Sequence, residues 1–150
     1  MHLLISAGLG ALIGLEREFS GKDPSLRTFA LISMGSCIFS ILSIEVVRDA
    51  HLGDPGRIAA QIVPGIGFIG AGTIFRSKQR VSGFTTAALM WVTAGIGMAV
   101  GCNRFDIGVS ATIIAITITL TLKILHRIID QRFPSTVKND KPEPSSSEEI

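Results

Sequence analysis

Long apolar segments separated by short polar connectors dominate the first 125 residues of the chain. Five segments carry this pattern: 1–15, 28–47, 58–75, 84–101 and 107–125. A helix needs roughly 17 to 25 residues to cross the hydrocarbon core of a bilayer, so the last four segments are long enough or nearly so. The first segment ends at Glu16, and a helix from Met1 to about Phe19 spans at most ~28 Å. The pattern predicts an all-α bundle of about five transmembrane helices.

Composition favours a membrane-embedded domain over a soluble one. Of the 150 residues, 47% are hydrophobic and 17% are charged, and the mean hydropathy is +0.48. The net charge is only +2, and the basic residues form short clusters rather than a continuous face, so nucleic acid is not expected as a partner. Cys37 and Cys102 lie in different segments without C-x-x-C spacing and are expected to be free thiols.

The distribution of Lys and Arg predicts the orientation, because cytoplasmic connectors carry the excess of these residues. Connectors on one side hold Arg17, Lys22, Arg27, Arg76, Lys78, Arg80, Lys123, Arg127 and Arg132. Those on the other side hold Arg48, Arg57 and Arg104. Five spans with the N-terminus outside and the C-terminus in the cytoplasm agree with these counts. We predict a transmembrane domain over 1–133 and a disordered tail over 134–150, which is rich in Ser, Pro, Lys and Glu.

The stretch VPGIGFIGAGTIFR (63–76) contains the G-x-G-x-x-G spacing of a dinucleotide-binding turn. No separate strand precedes it, and the next acidic residue is Asp106, so we expect no bound nucleotide. Small residues in lipid instead allow helix backbones to approach closely. Close helix packing is the predicted role of Gly10, Gly14, Gly65, Gly67, Gly70, Gly72, Gly97 and Gly101.

Pro64 and the glycines that follow it suggest a second use of this segment. Proline removes a helix hydrogen bond, so the third helix is predicted to be kinked or locally unwound. Broken helices of this kind line binding sites in transporters. A substrate site here is therefore the alternative to packing alone.

Two groups of polar residues are candidate functional sites. The cytoplasmic cluster, at the ends of the first four helices, comprises Glu16, Arg17, Arg27, Thr28, Arg76, Thr85 and Thr86. Glu16 ends a short helix, so we expect it to be buried against Arg27 or, as second choice, Arg76. Headgroup anchoring is the alternative. The outer-face cluster comprises Asp54, Arg57 and Gln61, for which helix capping is the alternative.

Four motifs, in order along the chain, resemble signatures of the MgtC/SapB family of bacterial inner-membrane proteins. They are GALIGLERE (10–18), LRTFALISMG (26–35), DPGRIAAQIVPGIGFIGAGTIFR (54–76) and GFTTAALMWVTAGIGMAVG (83–101), within a match over about 7–125. The resemblance implies a multi-helix membrane domain linked to growth under magnesium limitation and, in pathogens, to survival inside macrophages. It also implies that some members act by binding other membrane proteins, including the ATP synthase.

The chain departs from the family pattern at two places. Many members carry a soluble ACT-like domain after the last helix, which the polar tail from Pro134 is too short to form. An Asn often occupies the position of Thr85 in members with the virulence role, so that role is not carried over.

Two functional classes follow from these features. The first is a non-enzymatic regulator in the bacterial inner membrane, whose expected partners are membrane lipid, other membrane proteins and further copies of the chain. The second is a small magnesium transporter or ion pathway. No cofactor is expected, and an enzyme is disfavoured because His-Glu-x-x-His and nucleophile-elbow motifs are absent and His2, His51 and His126 lie far apart.

Overall fold

The computed structural model describes residues 1–21, 24–50, 53–77 and 80–132. Its elements, in chain order, are α1 (His2–Phe19), α2 (Leu26–Ala50), a 3-10 turn (Ala59–Gln61), α3 (Ile62–Ala71), β1 (Phe75–Ser77), β2 (Arg80–Ser82), α4 (Phe84–Gly101) and α5 (Phe105–Arg132). Lys22, Lys78 and the predicted tail (134–150) lie outside the described residues. The fold is helical, with one two-stranded hairpin that the hydrophobic pattern did not predict.

Three helices of the described chain are long and apolar enough to cross a membrane. They are 26–48 of α2, the whole of α4, and 105–129 of α5. The predicted first helix is confirmed as α1, but its 18 residues include the charged run Glu16, Arg17 and Glu18. By length and composition alone, α2, α4 and α5 are therefore the candidate spans of the described chain.

The third apolar segment differs most from its prediction. A helix over 58–75 was expected, kinked or locally unwound near Pro64 and ending at Arg76, but α3 contains only 10 residues and Arg76 lies in β1. Pro64 is the third residue of α3. The N–H groups of the first turn of a helix have no intrahelical acceptor, so a proline at this position removes no hydrogen bond and is tolerated near the start of the helix. The departure from α geometry precedes Pro64, as the 3-10 turn.

The helix α2 forms the centre of the first compact unit (residues 1–118). A Cβ atom built on Gly10 or Gly14 of α1 would lie 2.5 Å from the α2 backbone, at Phe29 and Leu26 respectively. Gly97 and Gly101 of α4 approach α2 in the same way from another side. Backbone contact at glycines thus joins α1 and α4 to one central helix.

Successive helices of this unit alternate in direction. Gly10 and Gly14 pack on Ser33 and Leu26, so α1 and α2 are antiparallel, whereas α4 runs parallel to α2. The helix α3 runs antiparallel to α4, with Gly70 near Ala87 and Ile62 near Ala94. The residues that join α4 to α5 return the chain in the opposite direction, and Gly108 contacts Val100.

Two apolar clusters fill the unit. The larger joins Ile13, Phe29, Leu89, Met90 and Ile96 from α1, α2 and α4, and Ala111, Ala115 and Ile116 of α5 pack against it. The smaller joins Ile62 and Ile66 of α3 to Ala94. The second unit begins at Thr119, and its described part is the end of α5.

Candidate functional site

The side chain of Arg17 connects the C-terminal end of α1 to the N-terminal end of α4. Arg17 Nη2 donates a hydrogen bond to Thr86 Oγ1 over 3.3 Å, and Arg17 Nη1 lies 3.8 Å from Glu16 Oε2. The other carboxylate oxygen of Glu16 accepts a 2.8 Å hydrogen bond from Ser20. Glu16 and Arg17 are 9% and 6% exposed, so this is a buried charged pair at one end of the bundle.

The predicted pairing of Glu16 with Arg27 or Arg76 is wrong. Arg17 is the basic residue within ion-pair distance of the Glu16 carboxylate in the described chain, and both Arg27 and Arg76 are exposed. Because α1 remains helical through Phe19, it presents adjacent residues Glu16 and Arg17 to the interior together. Of the other residues predicted in the cytoplasmic cluster, Thr28 is half-buried and Thr85 is exposed.

The hairpin and the start of α4 lie at this same end. Gly83 precedes α4 with φ 99°, a left-handed conformation that favours glycine, and its Cα faces the backbone carbonyl of Thr73. Gly83 therefore allows the segment after α3 to pass directly against the start of α4. The strands pair antiparallel, with Arg76 opposite Val81.

A row of buried hydroxyl groups on α2 was missed by the sequence analysis. It comprises Ser33, Ser36, Ser40 and Ser43, all at most 4% exposed. The Ser33 hydroxyl is 2.8 Å from that of Ser6 in α1, and Ser40 Oγ donates to the Ser36 carbonyl oxygen. Their spacing of three and four residues inside an apolar run was the available signal, because it places small polar groups on one helix face.

The three outer-face residues line one cavity of about 610 Å³, and among the described residues no hydrogen bond or ion pair joins their side chains. Asp54, Arg57 and Gln61 are all exposed, and Asp54 Oδ1 accepts a 2.8 Å hydrogen bond from the Gly56 N–H. Arg57 precedes the 3-10 turn and Gln61 ends it, so no regular α-helix carries both residues, although both line this cavity. Ser43 anchors this segment, since its hydroxyl donates to the Pro55 carbonyl and accepts from the Ala59 N–H.

The N-terminal end of α1 lies beside the connection between α4 and α5. His2 Nε2 lies 3.2 Å from Asn103 Oδ1, and the His2 ring lies 5.1 Å from that of Phe105. Nearby, Arg104 donates two hydrogen bonds to the Asp106 carboxylate, which raise the pKa of Arg104 above its ordinary value. Both cysteines are free, Cys37 buried and Cys102 exposed.

The glycines of α3 differ in environment from those of α1 and α4. Among the described residues, no atom lies within 4 Å of a Cβ built on Gly65 or Gly67, contrary to the close packing predicted for them. A Cβ built on Gly70 would lie at an ordinary 3.5 Å from that of Ala87, and the nearest atom to a Cβ built on Gly72 is the Ile69 carbonyl oxygen of α3. An apolar groove of about 530 Å³ runs between α2 and α3, and Leu31, Gly35, Phe39, Gly65 and Ile69 are among its lining residues.

Comparison with known proteins assigns the family. The model of the MgtC family matches residues 3–128. The chain belongs to the MgtC family. It is 42% identical over 133 residues to a protein of Escherichia coli K12 named "Putative magnesium transporter YhiD", covering 85% of this chain and 60% of that protein. It is 41% identical over 141 residues to "Protein MgtC" of Salmonella typhimurium 14028s, covering 94% of this chain and 59% of that protein.

Other comparisons set the extent of this likeness. A Haemophilus influenzae protein is 40% identical over 127 residues, covering 79% of this chain and 53% of that protein. The chain thus spans little more than half the length of the curated relatives it matches. No solved structure matches the chain significantly. Family membership and the three long apolar helices identify a bacterial membrane protein.

Proposed function

We propose that this chain is a non-enzymatic regulator of other membrane proteins in magnesium homeostasis. In this proposal all five helical segments cross the bacterial inner membrane, with the N-terminus outside and the C-terminus in the cytoplasm. The alternating helix directions support five crossings, because they place the start of α1 and the start of α5 at the same end of the bundle. The magnesium context rests on the family and on the printed name of the Escherichia coli relative.

The open surface of α3 carries the proposal of a regulatory binding role. Val63, Phe68 and Ile69 are exposed, Phe68 by 83%, while Gly65 and Gly67 leave the α3 backbone uncovered. In α1 and α4, glycines such as Gly10 and Gly97 allow the backbone of a neighbouring helix to pack in direct contact. A helix of a second protein, or of a second copy of this chain, therefore fits the face of α3 by the same type of contact.

Photo-crosslinking in magnesium-limited cells tests the regulator. A photoreactive residue replaces Phe68 on α3 and, as the matched control, Ile113 on α5, which is 60% exposed and apolar. We expect a discrete protein adduct from position 68 and lipid adducts alone from position 113. Lipid adducts alone from both positions would contradict the proposal.

A magnesium pathway is the second candidate, supported by the hydroxyl row of α2. Four buried serines supply oxygen atoms along the middle of the bundle, and hard cations bind oxygen ligands. Among the described residues, no group of three His, Cys, Asp or Glu side chains lies close enough to hold a metal ion. A pathway would therefore rely on hydroxyl and carbonyl oxygens.

Magnesium flux into liposomes that contain only the purified full chain separates the two candidates. The regulator predicts a flux equal to that of empty liposomes. The pathway predicts a flux that falls when Ser36 is changed to Ala and is unaffected by Ser110→Ala, an exposed serine of α5.

A further inference from the structure

The first turn of α4 offers backbone hydrogen-bond donors that the helix itself does not use. Its 18-residue helix begins at Phe84, and Gly83 at the N-cap supplies no side-chain hydrogen bond. The N–H groups of the first turn of a helix have no intrahelical partners, and the helix dipole gives that end a partial positive charge. An anion is the ligand that these two properties favour.

A buried arginine points into this same turn. The Arg17 guanidinium donates to Thr86 Oγ1, its side chain is 7% exposed, and its Nε has no hydrogen-bond partner among the described residues. The Glu16 carboxylate, 3.8 Å away, is beyond the 2.7–2.9 Å of a charge-assisted hydrogen bond. A buried cation beside the positive end of a helix is unfavourable unless a further negative charge is present.

The residues around this turn suit contact with the headgroups of an anionic membrane. Thr85 is exposed in the first turn and offers a hydroxyl donor, and Arg76 is exposed on the hairpin that leads into α4. No acidic residue occurs between Asp54 and Asp106. Phe75 and Phe84 are 68% and 62% exposed, as expected for aromatic side chains at the boundary between lipid tails and headgroups.

We propose that the start of α4 binds the phosphate group of a phospholipid with net negative charge. The first-turn N–H groups and the Thr85 hydroxyl donate to the phosphate oxygens, and Arg17 supplies the buried positive charge beneath them. Arg76 attracts the headgroup from the hairpin, and the acyl chains lie along the apolar helix faces. The proposal extends beyond the proposed function, since a regulator and a transporter would both keep such a lipid.

Thermal unfolding of the full chain in neutral detergent micelles tests the site. Three preparations are compared: micelles with phosphatidylglycerol, micelles with phosphatidylcholine, and lipid-free micelles with inorganic phosphate in the buffer. We expect phosphatidylglycerol to raise Tm more than phosphatidylcholine does, and inorganic phosphate to leave it unchanged. Thr85→Val, which removes one hydroxyl from an exposed side chain, and Arg76→Ala should each reduce the difference between the two lipids.

Matched variants keep the result interpretable. Arg48→Ala removes an exposed cation from the last turn of α2, at the other end of the bundle, and should preserve the full lipid difference. Arg17→Lys keeps the charge but removes the guanidinium donors, and should also reduce it. If Arg17→Lys does not fold, Thr85→Val and Arg76→Ala still decide the question.

Three results would overturn the proposal. One is equal stabilisation by the two lipids, and another is an unchanged lipid difference in both Thr85→Val and Arg76→Ala. The third is equal protection by inorganic phosphate, which would assign the site to a free anion instead of a lipid. None of these results depends on the crosslinking or flux measurements, so the lipid site and the proposed function fail separately.

Discussion

Gly97 of α4 lies directly against the backbone carbonyl of Ser33 in α2. A Cβ at position 97 would overlap that carbonyl and would come 2.9 Å from the Cβ of Ser36. The Ser33 hydroxyl meanwhile pairs with Ser6 of α1. One residue of the central helix thus fixes the spacing to helices on two sides.

Gly97→Ala should destabilise the protein because the new methyl group meets backbone rather than a flexible side chain. We expect a loss of about 1 to 3 kcal/mol in the free energy of unfolding, the usual cost of overpacking. Gly95→Ala is the matched control in the same helix, since in the described part of the chain no atom lies within 4 Å of a Cβ built there. Unfolding in mixed detergent micelles measures both, and equal stability of the two variants would contradict the packing described here.

Gly67→Leu should leave the stability of the isolated chain nearly unchanged. The sequence suggested the opposite, but the Cβ of this residue would point into open space. The same change at Gly101, where a Cβ would lie 2.7 Å from the Cys37 carbonyl oxygen, should be strongly destabilising. Detergent melts compare the two variants, and a large loss at Gly67 would show that α3 is covered within the chain.

Thiol labelling of intact cells tests the orientation with exposed positions of the structure. Native Cys102 lies at the His2 end of the bundle, and Arg76 lies at the opposite end. With the N-terminus outside, an impermeant reagent should label Cys102 and should not label Arg76→Cys in a Cys102→Ser background. Permeabilised cells provide the control that Arg76→Cys is reactive. Labelling of Arg76→Cys in intact cells would reverse the predicted topology.

Hydrophobic pattern predicted the long helices well because lipid imposes one simple requirement on them. The fourth apolar segment, 84–101, coincides with α4, and α1 begins and ends within one residue of its prediction. The third segment failed because hydrophobicity continues through Phe75 while backbone geometry changes. Local chemistry, Pro64 in the first turn of α3 and Gly83 before α4, sets those boundaries instead.

The sequence predicted that Glu16 of the candidate site is buried, but it did not predict which residue Glu16 pairs with. Burial of Glu16 followed correctly from its position at the end of a short helix. Its partner did not, because positive charge on a connector gives no information about which side chain turns inward. The glycines of α3 illustrate the same limit: glycine spacing alone does not distinguish a helix face covered within the chain from one left open.

The final prediction concerns the energetic coupling between Glu16 and its neighbours. Removing one member of a buried charged pair leaves the other uncompensated and typically costs ~3 to 5 kcal/mol, whereas an exposed pair contributes ~0 to 1. The Glu16→Gln and Arg17→Met double-mutant cycle should therefore give a coupling of about 1 to 3 kcal/mol, since the two charges are buried but 3.8 Å apart. The cycle of Glu16→Gln with Arg27→Met is the matched control and should give a coupling near zero, because Arg27 is exposed.

Urea unfolding in detergent micelles at two salt concentrations measures both cycles. The Arg17 coupling should change little with added salt, because ions do not reach a buried pair as they reach an exposed one. A coupling with Arg27 larger than that with Arg17 would restore the pairing inferred from sequence and remove Arg17 from the junction of α1 and α4. Thr86→Val offers an independent check, since it deletes the hydroxyl that Arg17 contacts while preserving side-chain volume. If Arg17 joins the two helices, Thr86→Val should destabilise the wild-type chain more than it destabilises the Arg17→Met variant.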